Sequence, residues 1–421
     1  MAPEQSHSLN HRMPVDGGIP AVTAFEGARP LATLVSPDLN WAGAPTTLDP
    51  DQRIRLSRFA HLRRIGHEMR VESPTTGAHL VVHDVRVAAV FAAFDLDRTP
   101  RVVADRTGIS VEGILALLGL MAGAEIVLVV STGADGDAVT AEDENVPWSW
   151  AFHDLLSYTQ VRATPISTLA PNPGLEVLKS QVDLSPEPPH PDDVLLPAVN
   201  VAEVTSRDAP LGVALEQRES DRCWKGGPLP LSALAELLAR VMHPVNRSIY
   251  ENIQTLKSPT HRVYPAAGIA YEIDIAVLAQ RVEGLTSGAY LYRAKSHSLA
   301  PLQGDATSLA EIIKATSQGV GTSLWGDATP QVLLVLAARF EDVGSRYSRT
   351  SYTHVLKNSG VMLQTLHLSA SAMGLGSVII GGGNGLTFAK ATGLPFFRRG
   401  AVAEMAVSVR CSASADCACG E

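Results

Sequence analysis

Arg218-Glu219-Ser220-Asp221-Arg222-Cys223-Trp224 sets two arginines and a serine on alternate positions of a short stretch. Two guanidinium forks with a hydroxyl between them can grip one phosphate, because a guanidinium donates in a plane that matches paired oxygens. A second block, His261-Arg262-Val263-Tyr264-Pro265-Ala266-Ala267-Gly268, follows an arginine with small residues and a glycine. Arg262 can reach a phosphate or the polar edge of a ring. Pro265, Ala266 and Gly268 let a flat ring approach the backbone closely. A third block begins at Tyr347, with Arg346 before it and Arg349 and Tyr352 after it. The last is Gly381-Gly382-Gly383-Asn384-Gly385, where the N–H groups of Gly381 and Gly382 can face an atom that gathers negative charge. Each block alone is common. An R-x-S-x-R run usually marks a solvated surface, and a glycine run suits a plain loop.

The elements that must carry these residues fill the second half of the chain. Ala233 to Met242 predicts a helix preceded by Leu229-Pro230-Leu231-Ser232, with Ser232 as its N-cap and Glu236 favouring the macrodipole. A strand is expected from Ile269 to Leu278, with Tyr271 to Leu278 its clearest part, and another around Gly288-Ala289-Tyr290 after a turn at Gly284. Leu309 to Ala315 is helical, and Val332 to Ala337 is a buried apolar strand. Val355 to Met373 reads as a helix carrying Gln364, ended by Gly374-Leu375-Gly376 and followed by the strand Val378-Ile379-Ile380. Helices over an antiparallel-rich sheet make this an α+β domain, spanning 211–410.

The first half is organised differently. Residues 1–50 have weak periodicity and read as loop or disorder. Residues 51–130 form a small winged-helix-like unit. Met69 to Glu72 and Leu80 to Val82 are strands, and Val87 to Phe94 is a helix. Gly108 closes a second helix, and Ser110 caps a third, Val111 to Met121. The strand Ile126 to Val130 follows. Such a unit can bind an extended peptide as an added strand, or serve as a structural cap or dimerisation module. Residues 131–147 read as a flexible linker, and 163–210 as a Pro-rich extended arm, so 131–210 separates the two domains. Between them, Trp148-Ser-Trp150-Ala-Phe152-His153-Asp154-Leu155-Leu156 has the helical spacing of core packing.

A chain of 421 residues suits two or three domains. Its net charge of −9, with a pI near 5.8, gives no basic footprint for nucleic acid. The longest apolar run, Ile114 to Val130, is interrupted by Gly119, Gly123 and Glu125, and reads as a core helix and strand, not a membrane span. There are four cysteines, and Cys411, Cys417 and Cys419 crowd the tail 411–421. Three thiols without a fourth ligand make no metal site, so free thiols in a reducing cytoplasm are expected. No G-x-G-x-x-G turn follows a strand, so a dinucleotide fingerprint is absent from the sequence.

Taken in order, the blocks over residues 205–410 resemble the SagB-type branch of the nitroreductase superfamily. These are FMN-dependent oxidases that convert thiazolines and oxazolines in ribosomally made peptides to thiazoles and oxazoles. The Trp148 to Leu156 segment is similar to the W-x-F-H-D-L-L segment ahead of many such flavin domains. The resemblance implies FMN held by Arg218, Ser220, Arg222, Arg262, Pro265, Ala266, Gly268, Gln364, Gly381 and Gly382. It implies a modified precursor peptide as substrate, cyclodehydratase partner proteins, and a homodimer with the flavin at its interface. The branch's Lys-Tyr pair corresponds to Arg346-Tyr347. Tyr347 then handles the proton, and Arg346 favours its phenolate, since a guanidinium stays charged and cannot itself be the base. The chain departs from the branch elsewhere. Ala266 stands where serine is usual, Asn358 where glutamate is usual, and Val361 where histidine is usual, and Thr365 follows Gln364 in place of asparagine. These departures keep two alternatives open: an NAD(P)H-dependent flavin reductase or nitroreductase, and a redox-inactive peptide-docking scaffold.

Overall fold

The computed structural model describes residues 9–10, 21–35, 46–76, 78–162, 190–224, 226–244, 262–319, 329–344, 347 and 350–410. The chain forms two compact units, Met1–Thr168 and Leu169–Glu421.

The first unit begins with β1 (Leu9–Asn10), β2 (Ala21–Glu26), β3 (Arg29–Val35), β4 (Ile54–Leu56), β5 (His61–Ile65), β6 (Glu68–Glu72) and β7 (His79–Val82). Helices α1 (Arg86–Ala92), α2 (Pro100–Thr107) and α3 (Val111–Gly123) follow, then β8 (Val127–Val129), β9 (Ser131–Thr132), β10 (Ala138–Val139), α4 (Ala141–Asn145) and α5 (Phe152–Arg162). Six strands make an antiparallel sheet in the order β1-β2-β3-β7-β6-β5. Leu31, Leu34, Leu80, Val87, Ile114 and Leu117 pack into its core. The turn between α2 and α3 is as the sequence predicts. Gly108 ends α2 in the left-handed region (φ 69°), and the Ser110 hydroxyl accepts the Gly113 N–H at 3.2 Å. Gly113 sits in a tight place, since a Cβ there would lie 3.0 Å from the Ile109 side chain.

Three expectations for this unit are corrected. Residues 21–35 are not loop but the hairpin β2–β3, turning at Gly27 (φ 58°). Its inward positions include Ala24 and Ala32, whose small side chains give little hydrophobic contrast in the sequence. Residues 131–147 are not a flexible linker but the β9–β10 ribbon and α4. Thr140 and Asp143 form a capping box, and the acidic residues that suggested flexibility are bound. Asp143 pairs with Arg55 at 3.0 Å, and Glu142 with Arg58 at 3.5 Å. The Trp148 to Leu156 segment is also not core. Trp148 and Phe152 are exposed, and Leu155 alone of its apolar residues is fully buried.

The second unit contains β11 (Val194–Leu195), α6 (Val201–Thr205), α7 (Leu211–Gln217), α8 (Leu231–Met242), β12 (Ile273–Ala279), β13 (Gly288–Arg293) and β14 (Ser298–Pro301). It continues with α9 (Ala306–Gly319), β15 (Val332–Arg339), α10 (Phe340–Gly344), α11 (Ser351–Ala372), β16 (Leu375–Ile380), α12 (Gly385–Thr392) and β17 (Arg399–Val409). Seven antiparallel strands run in the order β11-β14-β13-β12-β15-β17-β16. On one face Ile275, Val277, Leu334 and Met405 pack against Leu234 and Leu238 of α8 and Met362 and Leu366 of α11. On the other, Leu278, Leu333 and Ala406 meet Ile312 and Ile313 of α9 and Phe388 of α12. This is the expected α+β class. Val194 and Leu195, assigned to the arm, pair with β14 and join this unit. The Ser232 cap is corrected: α8 starts at Leu231 behind Pro230, and no side chain caps it. The strand expected from Ile269 starts at Ile273, after a 3₁₀ turn at Ala267–Ile269. Among the described residues no helix is long and apolar enough to cross a membrane.

Candidate functional site

Chain leaving α7 turns extended at Arg218 (ψ 118°) and runs along the edge strand β16. Asp221 donates its N–H to the Ser377 carbonyl at 3.0 Å, and His367 of α11 bonds the Glu219 carbonyl at 3.0 Å. Arg222 reaches back to the Ser220 carbonyl at 3.3 Å. Gly376 permits this approach, since a Cβ there would lie 2.5 Å from Asp221 Oδ2 and 2.6 Å from Ser408 Oγ. Burial, then the nearby Arg218 charge, lowers the pKa of His367 and keeps its ring neutral.

The fold brings a third arginine to this corner. Arg410, just past β17, lies 3.6 Å from the Glu219 carboxylate, and its Nε is buried without a partner. Ser408 Oγ is likewise buried and unpartnered. Three guanidiniums and orphaned donors are the chemistry a phosphate needs, opposed by the Asp221 carboxylate, which the Cys223 N–H engages at 2.8 Å. Sequence reading missed Arg410 because β17 was not recognised. Cys223 is buried and disulfide-bonded, against the expectation of free thiols. The other three cysteines lie outside the described residues.

Strand register places most other expected residues at the opposite end of the sheet. Ile273 pairs with Ala338, Ala338 with Gly400, and Ile380 with Glu404, so the start of β12, the ends of β15 and β16 and the start of β17 share one end. Here Arg262 donates to the Met242 carbonyl that ends α8 and lies 5.8 Å from the Tyr271 ring centre, with its Nε buried and unpartnered. Pro265, Ala266 and Gly268 form the loop that follows. The Ala267 N–H donates to Asn358 Oδ1 at 3.1 Å. Tyr264 beneath is buried, which pushes its hydroxyl above the usual range.

Tyr347 donates its N–H to the Val343 carbonyl at 2.8 Å and packs with Ala270, Ala338 and Val355. Its ring centre is 4.4 Å from that of His354, whose pKa is lowered by burial and then by Lys357. Arg346 lies outside the described residues. Gly381 and Gly382 are exposed with open space beside them. Gly383 is pressed on Glu404 of β17, where a Cβ would lie 1.9 Å from Oε1. Burial pushes the Glu404 carboxyl up to about 7. Gln364 is exposed on α11, with neither group. Arg399 at this end is bound to Asp274 at 2.8 Å, and Arg398 lies 3.6 Å from Glu341. Thus Arg218, Ser220 and Arg222 sit near the start of β16, and the ring-lining loop, Tyr347 and the glycines sit towards its far end. Six residues of strand span about 20 Å.

Residues 54–166 match the family model for the cyanobactin oxidase ThcOx, and residues 215–409 match the nitroreductase family model. The nitroreductase-like protein MJ1384 of Methanocaldococcus jannaschii is 24% identical over 167 residues, covering 40% of this chain and 76% of that protein. Among solved structures, a nitroreductase-like protein of Ralstonia eutropha has 22% identity and a TM-score of 0.41, over 54% of this chain and 96% of its own. One of Anabaena variabilis has 16% identity and a TM-score of 0.40, over 85% and 80%. The Escherichia coli microcin synthetase McbBCD complex, with truncated pro-MccB17 bound, has 19% identity and a TM-score of 0.37, over 59% and 84%.

Proposed function

Because this chain belongs to the nitroreductase superfamily, with a cyanobactin-oxidase segment ahead of its nitroreductase domain, we propose that it is an FMN-dependent dehydrogenase that oxidises azolines to azoles in a ribosomally made peptide. The observation that carries this reading is the joining of those two segments on one chain. The donor set supports it. Arg218, Ser220, Arg222 and Arg410 would hold the phosphate. The loop of Pro265, Ala266 and Gly268 would line the ring, with Arg262 Nε, Gly381 and Gly382 offering donors to its polar edge. FMN held there would supply the hydride acceptor, with dioxygen as the terminal oxidant.

The chain itself must remove the acidic Cα proton of the azoline. Tyr347 is the proposed acceptor, with Arg346 next to it in the sequence. His354, kept neutral by its surroundings, is beside Tyr347 to take the proton onward. The modified precursor peptide would dock its leader along the exposed edge strand β5 of the first unit. Cyclodehydratase proteins are proposed as partners, in the cytoplasm. The departures at Asn358 and Val361 favour a second reading, a scaffold that docks peptide without redox chemistry.

The test is to purify the protein, record its visible spectrum and supply an azoline-bearing precursor. A yellow protein that removes two hydrogens per ring is expected. A colourless protein that binds the peptide points to the scaffold, and NAD(P)H consumption without azole formation points to a flavin reductase.

A further inference from the structure

Asn358, one of the departures from the SagB-type pattern, is buried in α11 and fully engaged. Its Oδ1 accepts the Ala267 N–H at 3.1 Å, and its Nδ2 donates to Glu272 Oε1 at 2.9 Å. Glu272 has no exposed surface, and its Oε2 is without a partner. The chain between these contacts is strained. Gly268 has φ 58°, and Ile269 (φ 57°) and Tyr271 (φ 44°) occupy the left-handed region that β-branched and aromatic residues avoid. The Asn358 bonds hold the two ends of this segment, and Arg339 Nη2 donates to the Tyr271 carbonyl at 3.0 Å within it.

We propose that Glu272 and Asn358 form a positioning pair that fixes the loop Pro265–Gly268. The reasoning is one of donors and acceptors. The Ala267 N–H can only donate, so the amide must turn its oxygen to the loop and its NH₂ to Glu272. Oε1 must then accept. Any proton on Glu272 therefore sits on Oε2. Burial favours that proton, raising the pKa, while Asn358 from α11 and Arg339 from β15 lower it and Asp342 from α10 raises it. A carboxyl at position 358 would set two acceptors face to face unless position 272 supplied a donor.

The inference rests on the FMN reading, since it is the ring-lining loop that is held. Asn358→Asp keeps the shape and removes the donor. Adding Glu272→Gln restores a donor on the other side. Melting temperature of the flavin-free protein and FMN affinity by fluorescence quenching are both measured at pH 7.5. Asn358→Asp should lower the melting temperature and weaken FMN about tenfold or more, and the double variant E272Q/N358D should recover both. Glu272→Gln alone should be close to wild type, because the glutamine keeps the acceptor. Recovery of melting temperature with FMN affinity untouched throughout would overturn the positioning role. An N358D protein indistinguishable from wild type, or a double variant no better than N358D, would overturn the pair. A wild-type protein that binds no FMN, yet shows the coupled loss and recovery of melting temperature, would sink the FMN reading while upholding the pair's hold on the loop.

Discussion

Tyr347, Arg410 and Glu404 each lead to a separate measurement. Tyr347→Phe keeps the ring that packs on His354 and removes only the hydroxyl. If the hydroxyl handles the azoline proton, turnover should fall by about 10²–10⁴-fold with FMN still bound. Near-normal turnover would send the proton elsewhere. Arg410→Ala removes a guanidinium whose Nε has no protein partner. Charge-assisted hydrogen bonds contribute about 1.5–3 kcal/mol, so FMN affinity should drop by roughly ten- to a hundredfold. Replacing both Arg218 and Arg222 by alanine should leave a folded, colourless protein, and full occupancy in that variant would refute the phosphate site. Glu404 is buried between Val335 and Ile380, and that burial raises its pKa from the ordinary 4.5 to about 7. A raised carboxyl binds its proton more tightly when folded, so its contribution is complete below pH 4.5 and lost as pH rises to about 7. Above pH 7 the charged form costs about 3 kcal/mol. Glu404→Gln should therefore remove that decline, and urea unfolding of both proteins at pH 5 and pH 8 would measure it. Equal pH dependence in the two would discount the buried charge.

Elements whose signals are local were legible in the sequence. The cap at Ser110, the left-handed close at Gly108, and the long helix with its Gly374 exit all depend on neighbouring residues. Elements defined by distant partners were not. β17 carries Ala401, Ala403, Ala406 and Glu404 in the middle of the sheet, where burial on both faces erases alternation. Missing it hid both Arg410 and Glu404. The contacts from Asn358 to Ala267 and Glu272, and the closing of Asp221 on Gly376, join residues far apart in the chain, so no local pattern announces them. The connection from β16 to α12 shows how tightly such contacts are set. The Asn384 side chain caps α12 by accepting the Thr387 N–H at 3.0 Å, while Gly383 rests on Glu404. Gly383→Ala would force its Cβ into the carboxylate. The loop bearing Gly381 and Gly382 must shift, and a destabilisation of about 1–3 kcal/mol is expected for such overpacking. A melting temperature equal to wild type would mean that Glu404 swings aside freely.

At the scale of the whole molecule, the homodimer is a proposal. Leu211 and Leu215 of α7 are exposed, and so are Tyr352, Leu356 and Val361 of α11. The two helices pack on each other. Single exposed apolar residues are ordinary, but a set of them on adjoining helices marks an interface. Helix α11 has 22 residues, about 33 Å of rise, which is long enough to pair with a second copy of itself, with Tyr352 and Leu356 one turn apart on it. The same helix carries Asn358 beside the ring-lining loop and His367 beside the arginine cluster. A homodimer built on α11 would therefore lay its interface beside both halves of the proposed flavin site. Leu356→Glu places a charge at an already exposed position, so folding should survive. It should convert a dimer to a monomer by light scattering and weaken FMN binding together. Wild-type mass in the variant would move the interface elsewhere, and a wild-type protein that is monomeric with FMN fully bound would show that the site is complete within one chain.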